Sequence, residues 1–348
     1  MKKMLILAMS ILLVVSLLAG CGSSNNTSGE KDEDGIINHE TLVVYFVPSR
    51  EPSEIIAATG PLKDLLQDAL LEEGYNFDDI IIEVGTSYEA VGEALGAGTA
   101  HVGFIPGGTY VLYDDSAEVI LTATRAGLNK DSEKAIDWND GQPTQGTTDQ
   151  VTYYRSILVA GPSEKGQAIS AKVNNGEEIT LEDLDALNWG VRSSSSSAGY
   201  IYPSIWLQQN YGAALTDLSN IVQTDSYGST MARLASGQID VGVIFADARR
   251  DYENNWVTEY GRTESIWDET NVIAVTPGIY NDTISVSKSA DIMDADLIKA
   301  LQNAFINIAA TEEGKEVIAI YSHEGYKPAK SSDYDNEREA QRILRSFN

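Results

Sequence analysis

The sequence predicts an α/β fold made of two lobes that face each other across a ligand cleft. Three observations predict it. The first is a gapless repeat at an offset of 139 residues. Ser87-Tyr88, Leu95, Gly98, Val102-Gly103 and Ile105 recur as Ser226-Tyr227, Leu234, Gly237, Val241-Gly242 and Ile244, seven identities over nineteen aligned positions. The second is that each copy follows a β-branched run, Ile80–Val84 or Ile221–Thr224. Each copy then runs through about ten amphipathic residues into another apolar run, His101–Ile105 or Asp240–Ile244. That order is a βαβ unit used twice. The third is length: from Thr41 onward about 308 residues remain, a size usual for two lobes.

The ends of the chain read differently from its body. Met1-Lys2-Lys3 and the apolar run to Leu18, closing on Leu18-Ala19-Gly20-Cys21, form the pattern of a lipoprotein signal peptide over residues 1–20. The apolar core is shorter than the roughly 20 residues a membrane span needs. Cys21 is the single cysteine, so no disulfide forms within the chain, and its position makes it a lipidation site. Gly22–Glu40, rich in Ser, Asn, Gly, Asp and Glu, reads as a solvated tether, so residues 21–40 are the lipidated cysteine and its linker and folding is expected to begin near Thr41. At the other end Leu297, Ile298, Leu301, Ala304, Phe305 and Ile308 fall at helical spacing, ahead of Thr311–Lys315. These are helices packing on the first lobe.

The formal charge of −28 argues against nucleic acid and against peripheral binding to anionic lipid. An anionic ligand must therefore be held by local donors. Arg192-Ser193-Ser194-Ser195-Ser196-Ser197-Ala198-Gly199 supplies some. It lies between the strand-like Leu187–Val191 and a helical pattern from Tyr200 to Leu207. At such a turn the first helical N–H groups are unpaired, and with the hydroxyls and the helix dipole they suit a small oxyanion. A flexible linker or a plain N-cap is the alternative. In open α/β sheets ligands bind beyond the carboxyl ends of the strands, where Ser87-Tyr88 and Ser226-Tyr227 both fall, as cleft donors or as packing at helix starts. Micromolar binding needs about 8 kcal/mol, so donors from both lobes are required. Arg50 reads as a surface ion-pair partner of Glu51 or Glu54, and His101 as structural. Enzyme chemistry is not supported. The three histidines form no Ser-His-Asp set, no metal-ligand spacing stands out, and no nucleotide-binding glycine motif or other cofactor signature is present.

The lipobox, Tyr88–Pro106, Tyr153–Val159, Ser196–Pro203, Ala235–Asp240 and Thr276–Asp282 together resemble the phosphate/phosphite/phosphonate substrate-binding lipoproteins of ABC importers, over about Leu42 to Lys327. The resemblance implies a two-lobed periplasmic-binding-protein type fold with two crossover strands. Residues 41–151 would form the first part of lobe 1, 152–276 lobe 2, and 277–348 the hinge return and the rest of lobe 1. It implies that Tyr88 and Tyr110 line the first-lobe side, that Ser196 and Ser197 belong to an anion loop, and that Asp247 and Asp282 are acidic positions at the second lobe and hinge. Ala198 stands where the family loop has another serine, which Ser195 would replace, and Tyr227 stands where many members have a positively chargeable histidine. Asp247 or Asp282 would then read a P–OH hydrogen or the amine of an aminoalkyl phosphonate. The implied role is capture of a phosphorus oxyanion by a lipid-anchored, extracytoplasmic monomer that serves a permease and its ATPase. A ligand-sensing lipoprotein for a membrane receptor, or a binding protein for another small ligand, is the alternative.

Overall fold

In the computed structural model residues 30–33 and 35–346 are described. The expected signal peptide and Cys21 lie outside the described residues. Folding starts earlier than expected. The first long strand is Ile37–Phe46, and Glu30–Lys31 pairs with it antiparallel, so the end of the expected tether is part of a sheet. Leu42, Val44 and Phe46 are buried at alternate positions of that strand, the period of a sheet with one face on a core.

The first-lobe sheet runs Tyr75–Val84, Ile37–Phe46, Val102–Ile105, Thr283–Ser287, Ala117–Leu128, Gly325–Pro328. Its first three strands are parallel and Thr283–Ser287 is antiparallel to both neighbours. A central strand therefore arrives from the far end of the chain, after the second lobe has been built. The helices Leu62–Glu72, Tyr88–Ala97 and Ala295–Ala310 cover the sheet. Leu297, Leu301, Ala304, Phe305 and Ile308 are buried as their spacing requires.

The second-lobe sheet runs Ile221–Gln223, Trp189–Val191, Val241–Phe245, Ser156–Ala160, Asn271–Val275. The chain enters this lobe through Tyr153–Tyr154 and leaves through Ile279–Tyr280. These two short strands pair with each other where the chain crosses between the lobes.

The repeat is real at the level of atoms. Ser87 caps Tyr88–Ala97 by accepting from Ala90 N at 3.1 Å, and Ser226 caps Tyr227–Ala235 by accepting from Ser229 N at 2.9 Å. Gly98 and Gly237 follow those helices at φ 76° and 72°, the left-handed conformation that a side chain disfavours.

The terminal helix Asp335–Arg345 bridges the two lobes. It packs on the second-lobe helix Tyr202–Tyr211 and on the first-lobe turn Gly107–Tyr110, with Ala340 in a core cluster of the second lobe. Among the described residues no helix is long and apolar enough to cross a membrane.

Candidate functional site

Between the lobes lies a cavity of about 40 Å³. At about 10–15 Å³ per water it has room for roughly three. Its first-lobe wall is Val47, Ser49, Arg50, Tyr88, Pro106 and Arg125; the second lobe contributes Ser196, Tyr227 and Phe245. Tyr154 comes from the short strand Tyr153–Tyr154, Asp282 from the two-residue link between Ile279–Tyr280 and Thr283–Ser287, and Tyr321 from the C-terminal return. The wall thus combines five aromatic rings with two guanidinium groups, one carboxylate and several hydroxyls around one small space.

The lobes meet around this cavity. Tyr227 N–H donates to Ser49 O at 3.1 Å, and Arg192 Nη2 donates to Pro48 O at 2.7 Å. Arg50 pairs with Asp251 at 2.6 Å and Arg125 with Asp247 at 3.3 Å, each bridge joining one lobe to the other. Arg50 is only 7 % exposed. It lies over Phe245 and Tyr252 at 5.1 Å and donates to Ile320 O. The expected surface pairing of Arg50 with Glu51 or Glu54 is therefore replaced by a buried one: the strand end turns the side chain inward under the second lobe. Arg125 lies over the Tyr154 ring at 4.6 Å, and its buried Nε has no hydrogen-bond partner. Asp282 Oδ1 is likewise buried and unpartnered, while Oδ2 sits 3.5 Å from His323 Nε2. Burial pushes the His323 imidazole below its ordinary pKa, with Asp282 opposing. Two orphaned polar atoms in a cavity wall mark where a ligand's polar atoms would complete the hydrogen bonding.

The serine run divides its labour. Ser196 caps the turn through Gly199 N at 3.2 Å, stands 3.4 Å from the Tyr227 hydroxyl and lines the cavity. Its neighbours hold the lobes together instead. Ser193 donates to Glu89, and Thr109 donates to Ser195 O and Oγ at 3.2 and 3.3 Å. Gly108 N–H donates to Ser197 Oγ at 2.8 Å, and Ser197 in turn donates to Glu337 at 3.2 Å. Of the residues singled out from sequence, the fold brings Tyr88, Ser196, Tyr227 and Asp282 to the cavity wall and leaves Tyr110, Ser195, Ser197 and Asp247 off it. Tyr110 packs edge-on against Tyr334 with ring centroids 5.3 Å apart. Asp247 is only 2 % exposed and engaged by Arg125 and Arg250.

Sequence reasoning did not name Arg125, Tyr154, Phe245 or Tyr321. Arg125 lies in the mostly apolar strand Ala117–Leu128, and a charge inside a buried strand was the available signal. Tyr321 comes from a segment more than 270 residues from Val47, whose carbonyl its hydroxyl contacts at 2.5 Å. No local pattern announces that.

A two-lobed α/β protein with a small space between the lobes, lined by arginines and hydroxyls, has the architecture of an extracytoplasmic binding protein. The sequence matches the family described as ABC transporter, phosphonate, periplasmic substrate-binding protein over residues 44–334, and the chain belongs to that family. Solved structures share the fold. The binding-protein component of an ABC phosphonate transporter from Pseudomonas aeruginosa aligns with a TM-score of 0.64 at 14% identity, covering 87% of this chain and 85% of that one. PhnD1 from Prochlorococcus marinus in complex with methylphosphonate gives 0.60 at 17% identity, covering 88% and 98%. A Xanthomonas citri protein bound to ATP gives 0.60 at 14% identity, again covering 88% and 98%. No curated protein sequence matches. The family is one of extracytoplasmic transport proteins that take a small ligand to a permease; it is not an enzyme family.

Proposed function

We propose that this protein captures a compact phosphorus oxyanion, of the size of phosphite, phosphate or methylphosphonate, for an ABC importer, and is held at the membrane by a lipid on Cys21. The observation that carries the ligand reading is the cavity itself: about 40 Å³, with Arg50 and Arg125 in the wall and Asp282 Oδ1 unpartnered. That space suits a ligand of a few heavy atoms and leaves little for a long tail or a nucleotide. In this reading Tyr88, Tyr227, Ser196 and the arginines donate to the ligand oxygens, and Asp282 accepts a hydrogen from a P–OH group. Ser195 and Ser197 act behind the wall, keeping the serine turn against the first lobe. Asp247 serves by neutralising Arg125 rather than by touching ligand. The lipid reading is supported by Leu18-Ala19-Gly20-Cys21.

Calorimetric titration of ligand-free protein with phosphite, phosphate, methylphosphonate, 2-aminoethylphosphonate and sulfate tests it. Tight binding of a small phosphorus oxyanion is expected, with sulfate, which carries no acidic hydrogen at neutral pH, excluded. Asp282→Asn is expected to weaken the phosphorus ligand about 10- to 100-fold, the worth of one charge-assisted hydrogen bond. Failure of folded, ligand-free protein to bind any phosphorus oxyanion would overturn the reading.

A further inference from the structure

The cavity wall contains two arginines, yet neither is free to balance an incoming negative charge. Arg50 is paired with Asp251 and Arg125 with Asp247, and Asp282 adds a carboxylate of its own. A buried cation with no carboxylate paired to it among the described residues lies one layer back. Arg192 is 2 % exposed and places its guanidinium 5.5 Å from the Tyr88 ring centroid and 5.4 Å from that of Tyr227. Its donors go to backbone carbonyls, Thr224 O in the second lobe and Pro48 O in the first. Its Nε has no hydrogen-bond partner, and among the described residues no ion pair includes it.

The place is built for this side chain. A Cβ on residue 199 would stand 2.3 Å from Arg192 Cγ and 2.4 Å from its Cβ, so the glycine that closes the serine turn is what lets the arginine stem lie there. Arg192 N–H also donates to Gly199 O at 3.0 Å. A buried guanidinium that no carboxylate neutralises is costly, and it is normally offset by a counter-charge from elsewhere. Here the neighbouring space is the cavity, with two tyrosines between.

We propose that Arg192 is the charge-selecting residue of this binding site: a positioning residue that acts through Tyr88 and Tyr227, and whose positive charge a bound oxyanion balances. The inference rests on the oxyanion reading above and deepens it. A cation against the face of a phenol ring draws electron density from the hydroxyl and makes it a stronger donor to an anion on the far side. In keeping with this, burial raises the pKa of both hydroxyls while Arg192 pulls each back down. Because its partners come from both lobes, the guanidinium reaches this arrangement only when the lobes are together. Closure and the delivery of charge are therefore one event. It also accounts for tyrosine at position 227, where the family resemblance leads one to expect a histidine: the positive charge has moved from the wall to the layer behind it.

The test is titration of the wild-type protein, Arg192→Lys and Arg192→Met with phosphite, methylphosphonate, phosphate, sulfate and methanesulfonate, at several pH values spanning the second ionisation of phosphate. The Met variant is expected to lose affinity for the best wild-type anion on the order of tenfold or more. The Lys variant should lose clearly less than the Met variant, since it keeps the charge although it cannot keep both carbonyl contacts and the ring stacking. For phosphate, whose monoanion and dianion both keep a P–OH group, the wild type's advantage over the Met variant should also grow as pH rises through the second ionisation, a change that loss of packing alone would not produce. Equal weakening in Met and Lys with an unchanged pH profile would overturn the proposal, as would unchanged binding in the Met variant. Should the Met variant fail to fold, Tyr88→Phe and Tyr227→Phe carry the test, because unchanged binding in both leaves Arg192 nothing to act through. If the wild-type protein binds sulfate or methanesulfonate and no phosphorus ligand, the functional reading falls and Arg192 is tested on that anion. If it binds none of the five, both fall.

Discussion

Glu337 gives the most quantitative handle on how the terminal helix closes this protein. It is fully buried, accepts from the Tyr202 hydroxyl at 2.7 Å and from Ser197 Oγ at 3.2 Å, and thereby ties Asp335–Arg345 to the serine turn. Burial is the main cause that pushes its carboxyl up to about 7; the two hydrogen bonds oppose, and Asp282 adds to the rise. Relative to its ordinary value of 4.5 this is a rise of about 2.5 units, or about 3 kcal/mol at about 1.4 kcal/mol per unit. The sign follows from which state holds the proton. Between pH 4.5 and 7 the folded protein keeps it and the unfolded chain has released it, so stability from this group falls as pH rises. It is complete below about 4.5 and gone above about 7. Glu337→Gln removes the titration while its amide keeps an acceptor for Tyr202. Urea denaturation of both proteins at pH 4.5 to 8.5 measures the difference, in which all other titrating groups, His323 included, cancel. The variant is expected to gain about 3 kcal/mol relative to wild type across that range. A stability difference that stays flat from pH 4.5 to 8.5 would refute the reasoning and mean that the carboxylate remains ionised where it lies.

Three further outcomes are expected. Gly199→Ala overpacks the Arg192 stem and should cost about 1–3 kcal/mol in denaturant titrations, with weaker ligand binding in the protein that remains folded. Ser87→Ala and Ser226→Ala each remove an N-cap worth about 1 kcal/mol, and Ser226→Ala should cost more, because that hydroxyl also donates to Glu51 across the lobes. Cys21→Ser should release the protein from the membrane fraction into the soluble one in cells that process lipoproteins; continued membrane attachment would remove the lipid-anchor proposal.

Much of the architecture was legible because it rests on local periodicity. The doubled βαβ unit appeared as matched Ser-Tyr, Leu, Gly and Val-Gly positions, and each of these has a local job: cap, core contact, left-handed turn, strand. The serine run was legible as a strand-to-helix turn for the same reason. The cavity was only partly so. Tyr88, Tyr227 and Ser196 stand at helix starts beside strand ends, and a rule about α/β sheets finds such places. Arg125, Tyr154 and Tyr321 reach the same space from a sheet strand, a crossover between the lobes and the C-terminal return, which no local pattern joins.

What the sequence by itself determined, then, is the kind of protein: strands and helices in an order that builds two similar lobes, and a family whose motifs run from about one end of the body to the other. Only the tertiary structure decided which charges face the ligand space. Sequence spacing says where an arginine sits, whereas its charge becomes available or is cancelled according to carboxylates roughly 120 to 200 residues away, as with Arg125 and Asp247 or Arg50 and Asp251. The same holds for the serines. Their hydroxyls met Glu89, Thr109, Gly108 and Glu337 because the lobes and the last helix come together there, and a hydrogen bond is chosen by proximity in the folded molecule rather than by proximity along the chain.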